Sequence, residues 1–368
     1  MSTGSNFGKL FTISTWGESH GEAVGVVIDG CPAGVELTEE DIQIELNKRK
    51  PGKSIFSTPR KESDKANILS GVFEGKTTGT PISIVVYNNN QKSKDYSEIS
   101  RFYRPGHADM TYDMKYGFRD YRGGGRSSGR ETIGRVAGGA IAKKILSTLN
   151  IKVTTYTKSI GNISTSIDFD ENEIWKNDLC IPNKSCVEKT ENYLLDLIKD
   201  GNSCGGIIEC RVDNLPSGLG EPVFDRLDAE LSKAVMSIGS IKGFEIGNGF
   251  SASKLTGIEN NDFYRYENDV IKKESNNAGG ILGGISDGSR IVLRAAVKPT
   301  PSIKTTQRTV NKSGENIDIN IKGRHDPIIV PRAVIVVESM VAITLVDMLF
   351  RNVNSRIDNI KKIYSKPQ

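Results

Sequence analysis

The run AVIVVESMVAITLVDMLF, Ala333–Phe350, is the most apolar stretch of the 368-residue chain. Its length would span a bilayer, but Glu338 and Asp347 interrupt it, and carboxylates are costly at bilayer depth. It therefore reads as one long helix, Arg332–Asn352, buried in a protein core. A helix that is apolar on every side needs covering elements on every side. Working outward, Val- and Ile-rich strand signals fall at Ala23–Asp29, Ala66–Phe73, Pro81–Tyr87, Gly206–Val212 and Arg290–Val297. Helix signals fall at Glu39–Lys48, Ser128–Leu149, Glu191–Ile198 and Val223–Met236. Thr38 with Asp41, and Ser128 with Glu131, have the spacing of capping boxes. Strands and helices do not alternate regularly, which favours an α+β layout over a doubly wound parallel sheet. No composition shift divides the sequence, so residues 1–368 read as a single domain with a peripheral tail after about residue 353.

Composition narrows the functional classes. A net charge of +4 requires neither nucleic acid nor a membrane as partner. The five cysteines, Cys31, Cys180, Cys186, Cys204 and Cys210, form no CxxC pair and have no histidine beside them. They read as reduced thiols rather than a zinc site or disulfide framework, and no metal is expected. Met1–Lys9 is polar, with no apolar signal core, which points to a cytoplasmic protein. Glycine is abundant at 38 residues, so many positions need positive φ or close backbone approach. Gly71–Thr77 resembles a phosphate-binding loop but is one residue short of that spacing, and no dinucleotide-binding GxGxxG follows a strand.

The chemistry concentrates in two polar stretches, Asn88–Arg135 and Lys298–Pro331. Between Arg101 and Arg135 lie Arg101, Arg104, Lys115, Arg119, Arg122, Arg126, Arg130 and Arg135, against Asp109, Asp113, Asp120 and Glu131. Guanidinium forks match phosphate and carboxylate. The centre, Arg122-Gly-Gly-Gly-Arg-Ser-Ser-Gly-Arg130, combines close backbone approach, hydroxyl donors and a following helix N-terminus, where an anion is favoured. The three histidines, His20, His107 and His325, each have an acid and glycines nearby, a context that can tune an imidazole for proton transfer. From these residues alone the chain reads as an anion-handling enzyme. An Arg/Gly/Tyr nucleic-acid binder and a flavoprotein oxidoreductase on a phosphorylated anion are the other readings; interspersed acids and the modest charge weigh against the first.

At Thr15–Gly21, Lys48–Gly52, Gly71–Pro81, Phe102–Asp109, Asp120–Ser128, Ala278–Ser286, Lys298–Thr300 and Lys322–Pro327, the chain resembles the chorismate synthase family, in the family's order and over nearly its full length. The resemblance implies a β-α-β sandwich of antiparallel sheets flanked by helices, with pseudo-duplicated intertwined halves, assembled as a homotetramer. It implies trans-1,4 elimination of phosphate from 5-enolpyruvylshikimate-3-phosphate (EPSP), with reduced FMN and no net redox change. An external flavin reductase would supply the reduced flavin, with NADPH as an indirect reductant.

By motif position, His20 would protonate the leaving phosphate with help from Ser19. His107 would set the flavin's protonation state, and Asp326 would assist proton removal through the flavin's N5. Arg49, Arg60, Arg104 and Arg130 would grip substrate anions. Arg126, Ser127, Ser128, Gly239, Ser240, Gly283, Lys298, Pro299, Thr300, Pro301, Ser302 and Arg324 would contact FMN. His325 matches no catalytic role and reads as a hydrogen-bonded loop residue. The chain departs from relatives at Gly239-Ser240, at Pro301 and at Ile55, the last a position where some relatives carry a basic residue linked to nucleotide binding.

Overall fold

In the computed structural model, residues 4–365 are described except 51, 53–54, 57–61, 89–97, 166–167 and 321–325. Two antiparallel sheets of five strands each enclose the long helices. The first runs in the order Asn6–Phe7, Thr12–Gly17, Ala23–Asp29, Ile82–Tyr87, Asn67–Ile68. The second runs Ile241–Ile246, Ile291–Val297, Gly206–Asp213, Lys152–Ile160, Ile163–Ser164. Alternation decides which face is covered. In Ile291–Val297, Ile291, Leu293, Ala295 and Val297 are buried, while Arg294 points to the opposite face with Glu209 and Glu245.

The helices Thr132–Ser147 and Val330–Asn352 fill the space between the sheets, the former against the first sheet and the latter against the second. Val330–Asn352 is long and apolar enough to cross a membrane, but 89% of its most apolar window is buried within this core. Glycines let the layers close. A Cβ on Gly134 would lie 2.9 Å from Thr15 Cγ2 and 3.1 Å from the Gly25 carbonyl, and one on Gly139 would lie 2.3 Å from Ser339 Cβ. Polar ties join the ends of the chain to this core. Asp347 Oδ1 accepts from the backbone N–H groups of Lys9, Leu10 and Phe11 at 2.9, 2.6 and 3.0 Å. Lys143 Nζ reaches Glu45 at 3.0 Å on the helix Glu39–Arg49 and Glu338 at 2.5 Å on Val330–Asn352. Burial works against the Lys143 charge, but the two carboxylates prevail and hold its pKa well above the ordinary 10.5.

The architecture is the α+β sandwich expected, with an antiparallel sheet and core helices in each half. Several local readings change. Ala66–Phe73 is not one strand: Asn67–Ile68 joins the first sheet, Gly71 turns at φ 80°, and Val72–Phe73 pairs with Lys76–Thr77. The Thr38–Asp41 box forms, whereas the Ser128–Glu131 box does not. Ser128 caps a short 3-10 turn, Glu131 pairs with Arg135, and the helix begins at Thr132. The stretch Asn88–Arg135 includes a helix, Asp109–Tyr116, closed by Gly117 at φ 69°.

Gly139→Ala sets two effects against each other. Alanine gains about 1 kcal/mol of helix propensity, but its methyl would lie 2.6 Å from Ser339 Cα, which cannot swing aside. Overpacking costs up to about 3 kcal/mol, so the net expectation is a loss of about 2 kcal/mol, read as a lower urea midpoint. An unchanged midpoint would show that the two helices part without cost.

Candidate active site

Asp64 is almost fully buried and takes two guanidiniums at once. Arg49, at the end of Glu39–Arg49, donates from Nη2 to Asp64 Oδ2 at 2.5 Å, and Arg130 Nη1 reaches Oδ1 at 3.0 Å. Burial alone would raise the Asp64 carboxyl, but Arg49 and Arg130 outweigh it and hold its pKa below the ordinary 3.8. Burial, with Arg332 and Arg130 adding repulsion, brings Arg49 down to about 10 despite Asp64. Arg332, in the first turn of Val330–Asn352, donates to Asp326 Oδ2 at 3.2 Å. Among the described residues, Arg49 Nε, Arg130 Nη2 and Arg332 Nε are buried and have no hydrogen-bond partner. An orphaned buried donor costs about 1–3 kcal/mol, and here three guanidiniums of one cluster each carry one. Such donors suit an anion entering from outside.

The His20 loop is tied to this cluster. Asn88 donates to the carbonyls of Glu18 and Gly21 at 3.0 and 2.8 Å and accepts from Arg130 Nε at 2.8 Å. Ser19 donates to the Gly123 carbonyl at 3.1 Å, and both Ser19 and His20 are buried. Gly123 has φ 62°, and a Cβ there would strike His20 Cδ2 at 2.1 Å and approach Ser19 Oγ to 2.8 Å. The glycine run Gly123–Gly125 thus lets the loop close over the imidazole. Arg126 commits Nη1 to the Gly17 carbonyl and Nη2 to Thr15, pinning the same loop to the first sheet. Ser127 Oγ donates to the Gly124 carbonyl at 2.7 Å.

A second cluster surrounds His107. Its Nδ1 faces the Pro105 carbonyl at 3.0 Å, which can only accept, so Nδ1 carries the hydrogen in the neutral ring. Nε2 then accepts from the Ser302 hydroxyl at 3.0 Å. Burial first, then Arg104, lowers the His107 pKa below the ordinary 6.5, so the ring is neutral at pH 7. The loop that supplies Ser302 is close at hand: Lys298 Nζ donates to the Gly106 carbonyl at 2.7 Å, and a Cβ on Gly106 would meet Pro301 at 2.6 Å. Lys298 N–H bonds the Ser240 carbonyl at 2.9 Å, which brings Gly239-Ser240 alongside, with Ser240 at φ 74°. Among the described residues, the buried Thr300 hydroxyl has no partner, although the Thr300 carbonyl accepts from Ser203. A Cβ on Gly239, or on Gly283 at φ 61°, would meet nothing within 4 Å.

Of the residues singled out in the sequence, Ser19, His20, Arg49, Arg130 and Asp326 belong to the first cluster. His107, Lys298, Pro301, Ser302 and Ser240 belong to the second. Arg104 joins His107, not Arg49 and Arg130, and its fork is bidentate on Asp109 at 2.8 Å and 2.8 Å. The segment between residues 101 and 131 links the clusters: Arg119 bonds Asp109 at 2.9 Å, and the Gly123 carbonyl accepts from Ser19 at 3.1 Å. Arg60, Arg324 and His325 lie outside the described residues. Sequence reasoning missed Asp64, Asn88 and Arg332, whose partners are distant in sequence or, for Arg332, part of an apolar helix.

A family model described as chorismate synthase matches residues 11–350. A chorismate synthase from Agathobacter rectalis is 62% identical, with 99% of each chain covered. One from Methanococcus vannielii is 54% identical, with 96% of this chain and 99% of that one covered. A crystal structure of chorismate synthase matches with TM-score 0.76 at 32% identity, covering 97% of this chain and 96% of the other.

Two measurements test the clusters. Asp64→Ala leaves two buried guanidiniums without their shared carboxylate, and breaking a buried pair costs about 3–5 kcal/mol, to be read by chemical denaturation. A loss near zero would show that the arginines find other partners. His107 should titrate in an NMR pH series with its midpoint below 6.5. Because the fold binds that proton more weakly than the unfolded chain, its contribution to stability is present above 6.5 and lost as pH falls toward the folded midpoint. A midpoint above 6.5 would contradict the burial argument.

Proposed function

The chain belongs to the chorismate synthase family, carbon–oxygen lyases of the shikimate pathway that expel phosphate from EPSP to give chorismate, and we propose which of its residues carry that reaction. The observation that carries the assignment is the set of orphaned donors on Arg49 and Arg130, held by Asp64 and joined through Asn88 to the His20 loop. EPSP brings one phosphate and two carboxylates. Donors fixed in place before the ligand arrives bind developing negative charge without reorganising. Arg49 and Arg130 grip these anions, with Arg60 and Arg104 as further ligands. His20 gives its proton to the departing phosphate, and Ser19 helps to hold that ring. Asp326 takes part in removing the C6 proton. Groups poised near neutrality transfer protons most effectively, which suits an imidazole for the phosphate end.

The second cluster fits a flavin. Open space beside Gly239, the Thr300 hydroxyl, unpartnered among the described residues, and the Lys298 cation suit a flat anionic ring with a phosphate tail. Lys298, Pro299, Thr300, Pro301, Ser302, Gly239, Ser240 and Gly283 would hold it, with Ser127, Ser128 and Arg324. Arg126 would serve chiefly by fixing their loop. Reduced FMN, when bound, lends electron density that eases phosphate departure and is recovered unchanged. His107 presents a neutral ring with its Nε2 lone pair toward Ser302.

We assign a cytoplasmic setting, a separate flavin reductase, NADPH as an indirect reductant and a homotetramer. An isolated two-stranded ribbon is marginal in water. The ribbon Tyr264–Glu267 with Val270–Lys273 exposes Tyr264, Tyr266, Val270 and Ile271, which makes it a fitting subunit contact.

The test is anaerobic incubation with reduced FMN and EPSP, following phosphate and chorismate together. Equimolar release without stoichiometric NADPH consumption is expected; consumption matched to product would instead indicate an oxidoreductase. His20→Ala and His107→Ala should fold and lose turnover by about 100-fold or more. Near-normal phosphate release from either variant removes that histidine from the mechanism.

A further inference from the structure

Arg332 is matched by no motif of the resemblance, yet its guanidinium joins the first cluster through Asp326. Its Nη1 donates to Asp326 Oδ2 at 3.2 Å. It is near enough to Arg49 for the two charges to repel. Its Nε–H is buried and, among the described residues, makes no hydrogen bond. The side chain is 25% exposed, and it lines a cleft with Lys48 and Lys50, the two neighbours of Arg49 in sequence. Its position in the first turn of Val330–Asn352 places it where helix N–H groups and the dipole also favour an anion. A cation at that end, facing a second cation, is unfavourable unless negative charge arrives between them.

We propose that Arg332 is a substrate-binding and positioning residue: one edge of its guanidinium orients Asp326, and its Nε–H, with the orphaned donors of Arg49 and Arg130, receives an anionic group of the substrate. The ligand class is a small polyanion carrying carboxylate or phosphate. The fork does two jobs that a point charge cannot, since it must bond the carboxylate of Asp326 and the ligand in different directions. The proposal rests on the reading of this cluster as the EPSP site.

The experiment measures EPSP affinity by calorimetry on the flavin-free protein, together with KM, kcat and thermal midpoint, for wild type, Arg332→Gln and Arg332→Lys. The proposal expects Arg332→Gln to bind EPSP at least about tenfold more weakly, about 1.4 kcal/mol, with an unchanged thermal midpoint. Arg332→Lys should recover part of the affinity through its charge, yet stay below wild type in kcat because Asp326 loses its fork. Affinity and KM within twofold of wild type in Arg332→Gln would overturn the proposal. If Arg332→Gln does not fold, the lysine variant decides: binding and turnover both within twofold of wild type overturn the proposal. Failure of the wild type itself to bind EPSP would overturn the reading of the site and, with it, this proposal.

Discussion

Lys143 holds three helices by their flanks, and each of those helices brings a guanidinium to the same place. Its ammonium bonds Glu45 on Glu39–Arg49 and Glu338 on Val330–Asn352, while Lys143 itself belongs to Thr132–Ser147. The first helix ends in Arg49, the second begins just after Arg130, and the third carries Arg332 in its first turn. The glycine contact at Ser339 brings the second and third helices closer than any larger residue would permit. The positions of three arginines at the site therefore follow from packing in the core, where side chains have little freedom. Cations mounted this way need not reorganise when charge develops.

The sandwich was legible where patterning was strong. Ala23–Asp29, Ile82–Tyr87, Gly206–Asp213 and Ile291–Val297 announce themselves through alternating Val and Ile, and the apolar run at Ala333–Phe350 through its uniformity. Lys152–Ile160 passed unseen because Thr154, Thr155 and Thr157 look polar in sequence yet are buried, with Thr157 bonding the Leu179 carbonyl. The site divided similarly. The histidines and the Arg122–Arg130 loop could be recognised locally, but the pairing of Asp64 with Arg49 and Arg130 spans long loops that no periodicity records. The Ser128–Glu131 spacing misled because Arg135 and Thr15 compete for the Glu131 carboxylate.

The two clusters divide the work by the kind of group they present. Around Asp64 the groups are charged and buried, each guanidinium keeping a donor in reserve. Around His107 the charged groups already have protein partners, Arg104 and Arg119 on Asp109 and Lys298 on the Gly106 carbonyl, and the ring itself meets a backbone carbonyl and a hydroxyl. The segment from Arg101 to Glu131 runs through both, with Arg104 and Asp109 beside His107 and Gly123 and Arg130 at the other cluster.

The tie between Asp347 and the amides of Lys9, Leu10 and Phe11 joins segments at least 336 residues apart in sequence. During translation the first sheet and Thr132–Ser147 are made long before Val330–Asn352, the sheet by about 13–50 s at ordinary elongation rates. Until then the apolar face of Thr132–Ser147 lacks its final cover. A nascent chain of this design exposes that apolar surface until Val330–Asn352 emerges, and a product truncated before it lacks the helix against which Thr132–Ser147 packs.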